Sequence, residues 1–393
     1  MDTTGVEQRD DYIDVEDDLG PRQSLMEELR SSMRQLQRLR GPEGEGTLDT
    51  VLRGIGQVVF QNNALTGLLL LLAIAVNSFV YTAAALFGAL VSTYTAKLLR
   101  IDNRLVRDGL FGFNGALTGI AMVAFTSKET LHGDFPGLTV IACTALAAAF
   151  STVVARAIAF IIRNDRVPGL NLPYCLATLL ILGALHQFGG ADSAPIARSL
   201  ATGAPSTAGF AAYAPETWFY GVTTGIGQIF LQNNWLTGLV VVAAIAVNSR
   251  ISAAAVIAGA TVAVAICSLV GANEMLTRSG LPSYNAALTA IGLGGLFVLL
   301  DRAGALYAVL GAVLTTCAWA ALSAVFGPAG LPVLTLPFVI VTWLMVVAAR
   351  GFPALRVVPL EYAVSAERTI RRFAPKRRAQ PEESATAADS AGV

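Results

Sequence analysis

Long apolar stretches, separated by short polar ones, set the pattern of the chain. Seven stretches contain no Asp, Glu, Lys or Arg: 54–96, 109–127, 135–155, 217–249, 251–273, 279–300 and 303–349. A helix needs roughly 20 residues to cross the hydrocarbon core of a bilayer, so each stretch is long enough for one or two crossings. The pattern predicts an all-α polytopic membrane protein with about five helices in each half. In the first half these helices are predicted near 54–77, 80–97, 109–126, 137–162 and 173–190.

The two halves of the chain carry the same motifs in the same order. Three pairs of segments match: 54–78 with 225–249, 112–120 with 283–291, and 168–174 with 332–338. The first pair is identical at 17 of 25 positions, and both members contain Gly-Ile-Gly-Gln and Gln-Asn-Asn. The second pair has the same offset of 171 residues, and the third shares two prolines, a polar residue and an aromatic residue. Chance apolar similarity would not keep Gln, Asn and Pro in register, so the sequence indicates an internal duplication.

The odd number of helices in each half predicts how the halves are related. With five helices each, the second half enters the membrane from the opposite side, which gives two inverted five-helix repeats and ten transmembrane helices. The positive-inside rule agrees when the N-terminus is cytoplasmic. The basic residues that then lie on the cytoplasmic side are Lys97, Arg100, Arg104, Arg107, Arg163, Arg166, Arg250, Arg302 and Arg350. The 191–216 loop, whose one basic residue is Arg198, falls outside.

Paired prolines predict two helices that begin inside the membrane. The pairs precede apolar runs and consist of Pro168 with Pro173 and Pro332 with Pro337. Proline suits the first turn of a helix, where its missing N–H is no loss. Broken helices at membrane depth must be buried in protein or line a wet cavity. We therefore expect two re-entrant half-helices, near 168–182 and 332–343, in addition to the ten crossings. Proline-kinked spans are the alternative.

The amide side chains of the duplicated motif are candidates for a substrate site. Transporters with inverted repeats place that site near the midplane, where the two halves meet. We expect six amides to converge there: Gln57, Asn62, Asn63, Gln228, Asn233 and Asn234. Asn77 and Asn248 lie near predicted helix ends, and a hydrogen bond to a neighbouring helix is their simpler role.

Composition and charge then limit the kind of solute. Hydrophobic residues make up 54% of the 393 and charged residues 14%, and the mean hydropathy is +0.60. An ion-coupled carrier normally keeps an Asp, Glu or His inside the membrane. The two histidines are His132, in a predicted external loop, and His186, near the end of a predicted helix. The predicted site is therefore uncharged and suits a small neutral polar solute.

Other classes of protein leave no signature in this sequence. The four cysteines lack the spacing of metal ligands. We find no nucleophile–base pair, phosphate-binding loop or metal cluster, so the sequence predicts that the protein is not an enzyme and needs no cofactor. A basic patch interleaved with aromatic residues is also missing, so no nucleic-acid partner is expected.

The duplicated motifs carry a resemblance to a known family. Gly-x-Gly-Gln, Phe-Asn-Gly-x-Leu and above all "LPVLTLPF" at 331–338 resemble the urea transporter (urea channel) family over roughly 47–350. The resemblance implies passive transport of urea by a homotrimer in the cell membrane, with one narrow, uncharged pore in each protomer. In that pore, aromatic faces enclose planar urea, and a ladder of oxygens accepts its N–H groups.

The same resemblance implies which residues line the pore. Carried over by motif, they are Gln57, Val58, Phe60, Phe113, Leu117 and Asn171 in the first half, and Gln228, Ile229, Leu231, Tyr284, Leu288 and Thr335 in the second. The sequence departs from the family pattern at several of these positions. Leu231 replaces an aromatic residue, Tyr284 adds a hydroxyl, and Asn171 stands where Thr is usual. Gln228 replaces the Glu of some members and leaves the pore neutral.

The sequence also predicts five segments along the chain and leaves two alternative functions open. The segments are an acidic then amphipathic cytoplasmic N-terminus (1–46), a first membrane repeat (47–190), an extracytoplasmic loop (191–216), a second membrane repeat (217–352) and a basic cytoplasmic tail (353–393). The expected partners are urea or a similar small amide, the lipid bilayer and further copies of the chain. One alternative is a facilitator for another small neutral amide or ammonia, and the other is an ion-coupled carrier.

Overall fold

The fold was analysed in a computed structural model, which describes residues 46–125, 131–132, 135–163, 167–188 and 209–373. Three sequence predictions lie outside the described residues. They are the acidic and amphipathic N-terminal segment, most of the 191–216 loop, and the basic tail beyond Phe373. The description below concerns the chain from Thr47 onward.

The first half consists of short and long apolar helices and one very short hairpin. The helices are α1 (Thr47–Gln57), α2 (Ala64–Asn77), α3 (Phe79–Leu98), α4 (Asn103–Arg107), α5 (Gly112–Ala124), α6 (Leu138–Ile161) and α7 (Leu172–Gln187). Strands β1 (Leu131–His132) and β2 (Phe135–Pro136) pair antiparallel between α5 and α6.

The second half repeats this order of helices. They are α8 (Pro215–Gly227), α9 (Trp235–Asn248), α10 (Arg250–Val270), α11 (Glu274–Arg278), α12 (Tyr284–Ile291), α13 (Arg302–Phe326) and α14 (Leu336–Ala349). A 3₁₀ turn at Gln228–Phe230 prolongs α8, and a π turn at Gly292–Leu296 prolongs α12. The chain continues to α15 (Ala366–Phe373). Each helix from α8 to α14 thus has a counterpart from α1 to α7, which agrees with the predicted duplication.

The predicted single helix near 54–77 is wrong, because the chain breaks between α1 and α2. Phe60 has a left-handed backbone (φ 62°), and the N–H of Gln61 donates back to the carbonyl of Gly56 at 3.0 Å. Asn63 then caps α2 by accepting from the N–H of Thr66 at 3.0 Å. A Cβ on Gly56 would overlap the carbonyl oxygen of Gln61, so this return of the chain requires glycine. The polar residues after Phe60 therefore end one helix and begin another.

The second half breaks in the same way. Leu231 is left-handed (φ 55°), and Asn234 caps α9 with hydrogen bonds from Leu236 and Thr237. The axes of α8 and α9 differ by 72° across this break. In each half, a short helix, α1 or α8, therefore precedes the break and is separate from the helix that follows.

A helix begins after each proline pair, as predicted, but with different bounds; these two helices are called the half-helices below. They are α7 and α14, which begin at Leu172 and Leu336 and place Pro173 and Pro337 in the first turn, as expected. They extend to Gln187 and Ala349, beyond the predicted ends. The fifth helix predicted at 173–190 and the half-helix predicted at 168–182 are one element.

Among the described residues, four helices are long and apolar enough to cross a membrane on their own: Phe79–Leu98, Leu138–Ile161, Arg250–Val270 and Arg302–Ala329, the last including the 3₁₀ turn after α13. A fifth candidate is the bent pair α8 and α9, if it forms one span. Four shorter apolar helices, of 10–17 residues, accompany them: α2, α5, α7 and α14. This composition is that of a multi-pass membrane protein, in agreement with the predicted fold class at that level.

Two reciprocal hydrogen bonds join the halves. Asn77 donates its amide N–H to Oε1 of Gln232 at 2.7 Å, and Asn248 donates to Oε1 of Gln61 at 2.7 Å. Asn248 is the repeat counterpart of Asn77, and Gln232 is the counterpart of Gln61. The two bonds are therefore the same contact with the roles of the halves exchanged. A two-fold axis between the halves produces such an exchange. The hydrogen-bonding role predicted for Asn77 and Asn248 is therefore confirmed.

A C-terminal strap, residues 356–373, closes the second half. Val357 forms a β-bridge with Val298, and the N–H of Val358 donates to the carbonyl of Phe297 at 2.8 Å. At the other end of the strap, the carboxylate of Glu367 accepts from Ser249 Oγ at 2.7 Å and from the N–H of Ile251 at 2.9 Å. The strap thus spans the π turn after α12 and reaches the first turn of α10.

Candidate functional site

The N-termini of α7 and α14 are held by matching asparagines. Asn114 on α5 accepts the N–H of Tyr174 at 3.1 Å, and Asn285 on α12 accepts the N–H of Phe338 at 3.2 Å. Both asparagines are buried. Free N–H groups at a helix N-terminus need such acceptors when water is excluded. The second residue of the duplicated Phe/Tyr-Asn motif therefore positions each half-helix, a role that the sequence reasoning missed although the asparagine is kept in both copies.

Asn171 and Thr335 occupy equivalent positions just before α7 and α14. They are 2% and 3% exposed, and neither side chain caps its own helix. Thr335 Oγ1 lies 3.2 Å from Cys175 Sγ, in the first turn of α7. This contact brings the starts of the two half-helices together. Cys175 was predicted only as one of four cysteines without metal-ligand spacing, so its place beside Thr335 was missed.

A backbone turn precedes each half-helix and differs between the halves in its hydrogen bonds. Leu170 and Leu334 are both left-handed, with φ of 48° and 51°. The carbonyl of Leu334 accepts from the Tyr284 hydroxyl and from Asn285 Nδ2, the latter at 3.1 Å. The first half lacks this arrangement, since Phe113 has no hydroxyl. Asn114 Nδ2 is buried and has no hydrogen-bond partner in the part of the chain that the structure describes.

The two predicted glutamines make equivalent contacts. Gln57 Nε2 donates to the carbonyl of Asp108 at 3.1 Å, and Gln228 Nε2 donates to the carbonyl of Ser279 at 3.0 Å. Both side chains are partly buried at the end of the first helix of their half. Their carbonyl oxygens remain available to accept a hydrogen bond.

The predicted convergence of six amides is wrong. Asn63 and Asn234 cap α2 and α9, Asn62 donates to the Asp108 carboxylate at 3.2 Å, and Asn233 is exposed. A capping asparagine is fixed by the helix that follows it, so it does not face a common site. Asn234 Nδ2 also donates to Asn77 Oδ1 of the first half, at 3.4 Å. The neighbouring Gln61 and Gln232, which were not chosen, make the shorter contacts between the halves.

Phe60 lies among aromatic residues of the second half. Its ring centroid is 5.6 Å from that of Phe297 and 6.0 Å from that of Phe338, both edge-to-face. Phe113 is partly buried against the same core and has no ring–ring contact within the described residues. Phe60 and Phe113, both expected to line the pore, make no ring–ring contact with each other within the described residues. Phe297, which lies outside the duplicated motifs, was missed.

The remaining predicted site residues pack in the same core. Val58, Leu117, Ile229, Leu288 and Tyr284 are buried, and Leu231 is partly buried against them. Of the twelve predicted residues, those from the first duplicated motif lie at the end of α1 or α8 or in the turn that follows, and those from the second lie on α5 and α12.

The surroundings of Gln57 and of Gln228 differ in charge. Arg53 pairs with Asp49 at 2.6 Å and donates to Asn62 at 3.2 Å, and Asn62 in turn reaches Asp108. The 171-residue offset places uncharged residues at the equivalent positions, with Thr224 in place of Arg53 and Ser279 in place of Asp108. A charged network therefore surrounds Gln57 but not Gln228.

Comparisons with known proteins agree with the resemblance that the sequence motifs carry. Residues 48–350 match the family model described as "Urea transporter". Urea transporter 1 of Rattus norvegicus is 27% identical over 320 residues, which cover 81% of this chain and 82% of the relative. Urea transporter 1 of Ovis aries is 26% identical over 327 residues, covering 81% of each protein. The family match spans most of the chain and contains both copies of the motifs that surround the half-helix N-termini; the chain belongs to the urea transporter family.

Proposed function

We propose that the protein is a channel-type facilitator for the passive movement of urea across the membrane. The observation that carries the proposal is the meeting of α7 and α14 at their N-termini, where Thr335 lies 3.2 Å from Cys175. The family match and the names of the relatives support urea as the solute. The twelve residues carried over by motif line the proposed pore; of these, Asn171 and Thr335 precede the two helices, and the Tyr284 hydroxyl donates to the carbonyl just before Thr335.

Urea matches the chemistry of these residues. It is flat and uncharged, and it has four N–H donors and one carbonyl acceptor. In a site without bulk water, each lost hydrogen bond must be replaced. The side-chain oxygens of Gln57, Gln228 and Thr335 are acceptors for the N–H groups, and the rings of Phe60 and Phe113 form apolar walls on either side. Two helix N-termini directed at one point disfavour cations there.

The proposed architecture follows from the corrected helix bounds. In each half, five helices form the membrane bundle (α2, α3, α5, α6 and α7, and their counterparts α9, α10, α12, α13 and α14), and of these α7 and α14 begin at the meeting point inside the membrane. The short helices α1 and α8 enter the membrane and turn back. The halves are inverted about an axis in the membrane plane, which the reciprocal Asn–Gln hydrogen bonds support. Both termini are cytoplasmic, and the 191–216 loop is external. Three copies assemble in the cell membrane, each with its own pore.

Stopped-flow light scattering of proteoliposomes tests the function. Urea permeability should exceed that of protein-free liposomes and should be the same in either direction of the gradient. It should not change with membrane potential or between about pH 6 and 8, because urea carries no charge for the field to act on and none of the twelve residues carried over by motif is a carboxylate or a histidine. Accumulation of urea against its gradient, driven by sodium or protons, would contradict the proposal and favour the ion-coupled carrier.

A further inference from the structure

Two buried amide groups without hydrogen-bond partners distinguish the start of α7 from that of α14. Within the described residues, neither Asn171 Nδ2 nor Asn114 Nδ2 has a partner. The side chains are 2% and 1% exposed. Buried amide N–H groups are nearly always paired, and an unpaired one is costly. Two such donors near one helix N-terminus therefore indicate a ligand that accepts hydrogen bonds.

The contacts of Asn114 place its amide at the half-helix. Its Oδ1 accepts the N–H of Tyr174, in the first turn of α7. Its Nδ2 belongs to the same planar group, so it lies near that N-terminus as well. Asn171 immediately precedes α7. The positive end of the helix dipole adds to the attraction for an oxygen with partial negative charge.

Within the described residues, the start of α14 has no equivalent unpaired amide; the unpaired buried donors of the second half are the hydroxyls of Ser283 and Thr342. Asn285 Nδ2 is occupied by the carbonyl of Leu334, and Thr335 replaces Asn171. The hydroxyl of Thr335 already contacts Cys175 Sγ. The two half-helix N-termini are therefore chemically different, although their backbones repeat.

We propose that Asn171 and Asn114 form a carbonyl-binding subsite that recognises the oxygen of urea. The inference rests on the proposed function and deepens it by assigning the two ends of the solute. The first half donates to the carbonyl oxygen, and the oxygen atoms of the second half accept the N–H groups. This subsite favours small solutes with a strong carbonyl acceptor over solutes of the same shape with a weak one.

Thiourea provides that comparison. It has the N–H groups and the planar shape of urea, but its sulfur accepts hydrogen bonds more weakly than oxygen. Urea and thiourea permeabilities are measured in proteoliposomes for the wild type, Asn171→Leu and Asn171→Thr, after subtraction of protein-free permeability. Leucine has a similar size and no donor, and threonine holds its donor one bond closer to the backbone. Asn233→Thr changes an exposed amide and serves as the matched control.

The ratio of urea to thiourea permeability is the decisive quantity. It should fall about tenfold in Asn171→Leu, as expected for the loss of one buried hydrogen bond. It should fall less in Asn171→Thr and stay at the wild-type value in Asn233→Thr. If Asn171→Leu fails to assemble, the ratio in Asn171→Thr decides the question alone.

The outcomes separate the two proposals. Wild-type urea flux with an unchanged ratio in the assembled Asn171 variants overturns the carbonyl-binding subsite and leaves the channel function in place. Wild-type urea flux no greater than that of protein-free liposomes overturns the channel function, and the subsite with it.

Discussion

At the scale of single residues, Thr335 offers the most direct test of the proposed acceptors. Its hydroxyl is buried where the two half-helices meet, and it is shared with Cys175 rather than with its own helix. A buried acceptor that is removed while its donor remains costs about 1–3 kcal/mol. If this hydrogen bond stabilises the solute at the highest point of the permeation barrier, its loss slows urea permeation about tenfold for each 1.4 kcal/mol.

Replacing Thr335 by Val keeps the shape and removes the hydroxyl. We expect urea flux to fall about tenfold or more if this position lies on the rate-limiting barrier. Stopped-flow measurements on proteoliposomes with equal protein content give the result. Cys175→Val removes the other member of the contact and introduces the residue found at the equivalent position in α14, Val339; it serves as the comparison and should affect flux less. Wild-type flux in Thr335→Val would show that this hydroxyl does not contact the solute.

Phe113 should control selectivity more than rate. Its ring is partly buried and has no ring partner among the described residues, so Phe113→Ala widens the proposed slot without breaking an aromatic pair. We expect weaker discrimination against water and larger amides, even where urea flux persists. Phe210→Ala, at an exposed ring outside the duplicated motifs, is the control. Unchanged selectivity in an assembled Phe113→Ala protein would place the slot elsewhere.

The sequence predicted the identity of these residues better than their partners. Motifs kept in both halves led to Asn171, Thr335 and the two glutamines. Phe297 and Cys175 were missed because neither belongs to a duplicated motif, and their role depends on which elements pack together. Side-chain contacts across the halves are set by the tertiary fold, which hydropathy patterns do not encode.

At the scale of elements, the breaks after α1 and α8 show why part of the fold escaped the sequence. Hydropathy continues almost without interruption through 54–77, which reads as one helix. The break comes instead from a left-handed residue at 60 or 231 and an N-capping asparagine three residues later. Asparagine is a short-range capping signal. In an apolar chain the same residue also indicates a polar site, and that interpretation was chosen wrongly for Asn63 and Asn234.

The C-terminal strap makes a separate contribution to stability. The carboxylate of Glu367 meets two donors at the N-terminus of α10, where negative charge is favourable. Glu367→Ala leaves the N–H of Ile251 without that acceptor. We expect a loss of about 1–3 kcal/mol and a lower Tm in detergent. Glu361→Ala removes an exposed carboxylate from the same strap and should leave the Tm almost unchanged; equal shifts in both variants would contradict the capping role.

At the scale of the whole molecule, the reciprocal hydrogen bonds tie the halves together. Because each bond is 2.7 Å long and the pairs are equivalent, the two should contribute equally. Gln61→Ala and Gln232→Ala each leave one asparagine without its partner. Hydrogen bonds between membrane helices contribute about 0.6 kcal/mol on average, so each variant should unfold at slightly lower temperature.

Comparing the Tm shifts of Gln61→Ala and Gln232→Ala is a more stringent test than either shift alone. Their Tm shifts should agree with each other, and the double variant should show their sum, since well-separated sites are additive. Thermal unfolding in detergent provides the measurement, and Asn233→Ala, at an exposed amide, is the control. A large shift in one variant and none in the other would show that the two bonds are not equivalent.

The exchange of partners between Asn77 with Gln232 and Asn248 with Gln61 also bears on the ancestry of the chain. Each half contains one complete set of donor and acceptor, Asn77 with Gln61 and Asn248 with Gln232, but uses it only on its neighbour. Two separate copies of a single ancestral half, arranged about a two-fold axis, satisfy both bonds at once. Fusion of such a pair into one chain would keep this interface and leave each copy free to diverge, as at Asn171 and Thr335.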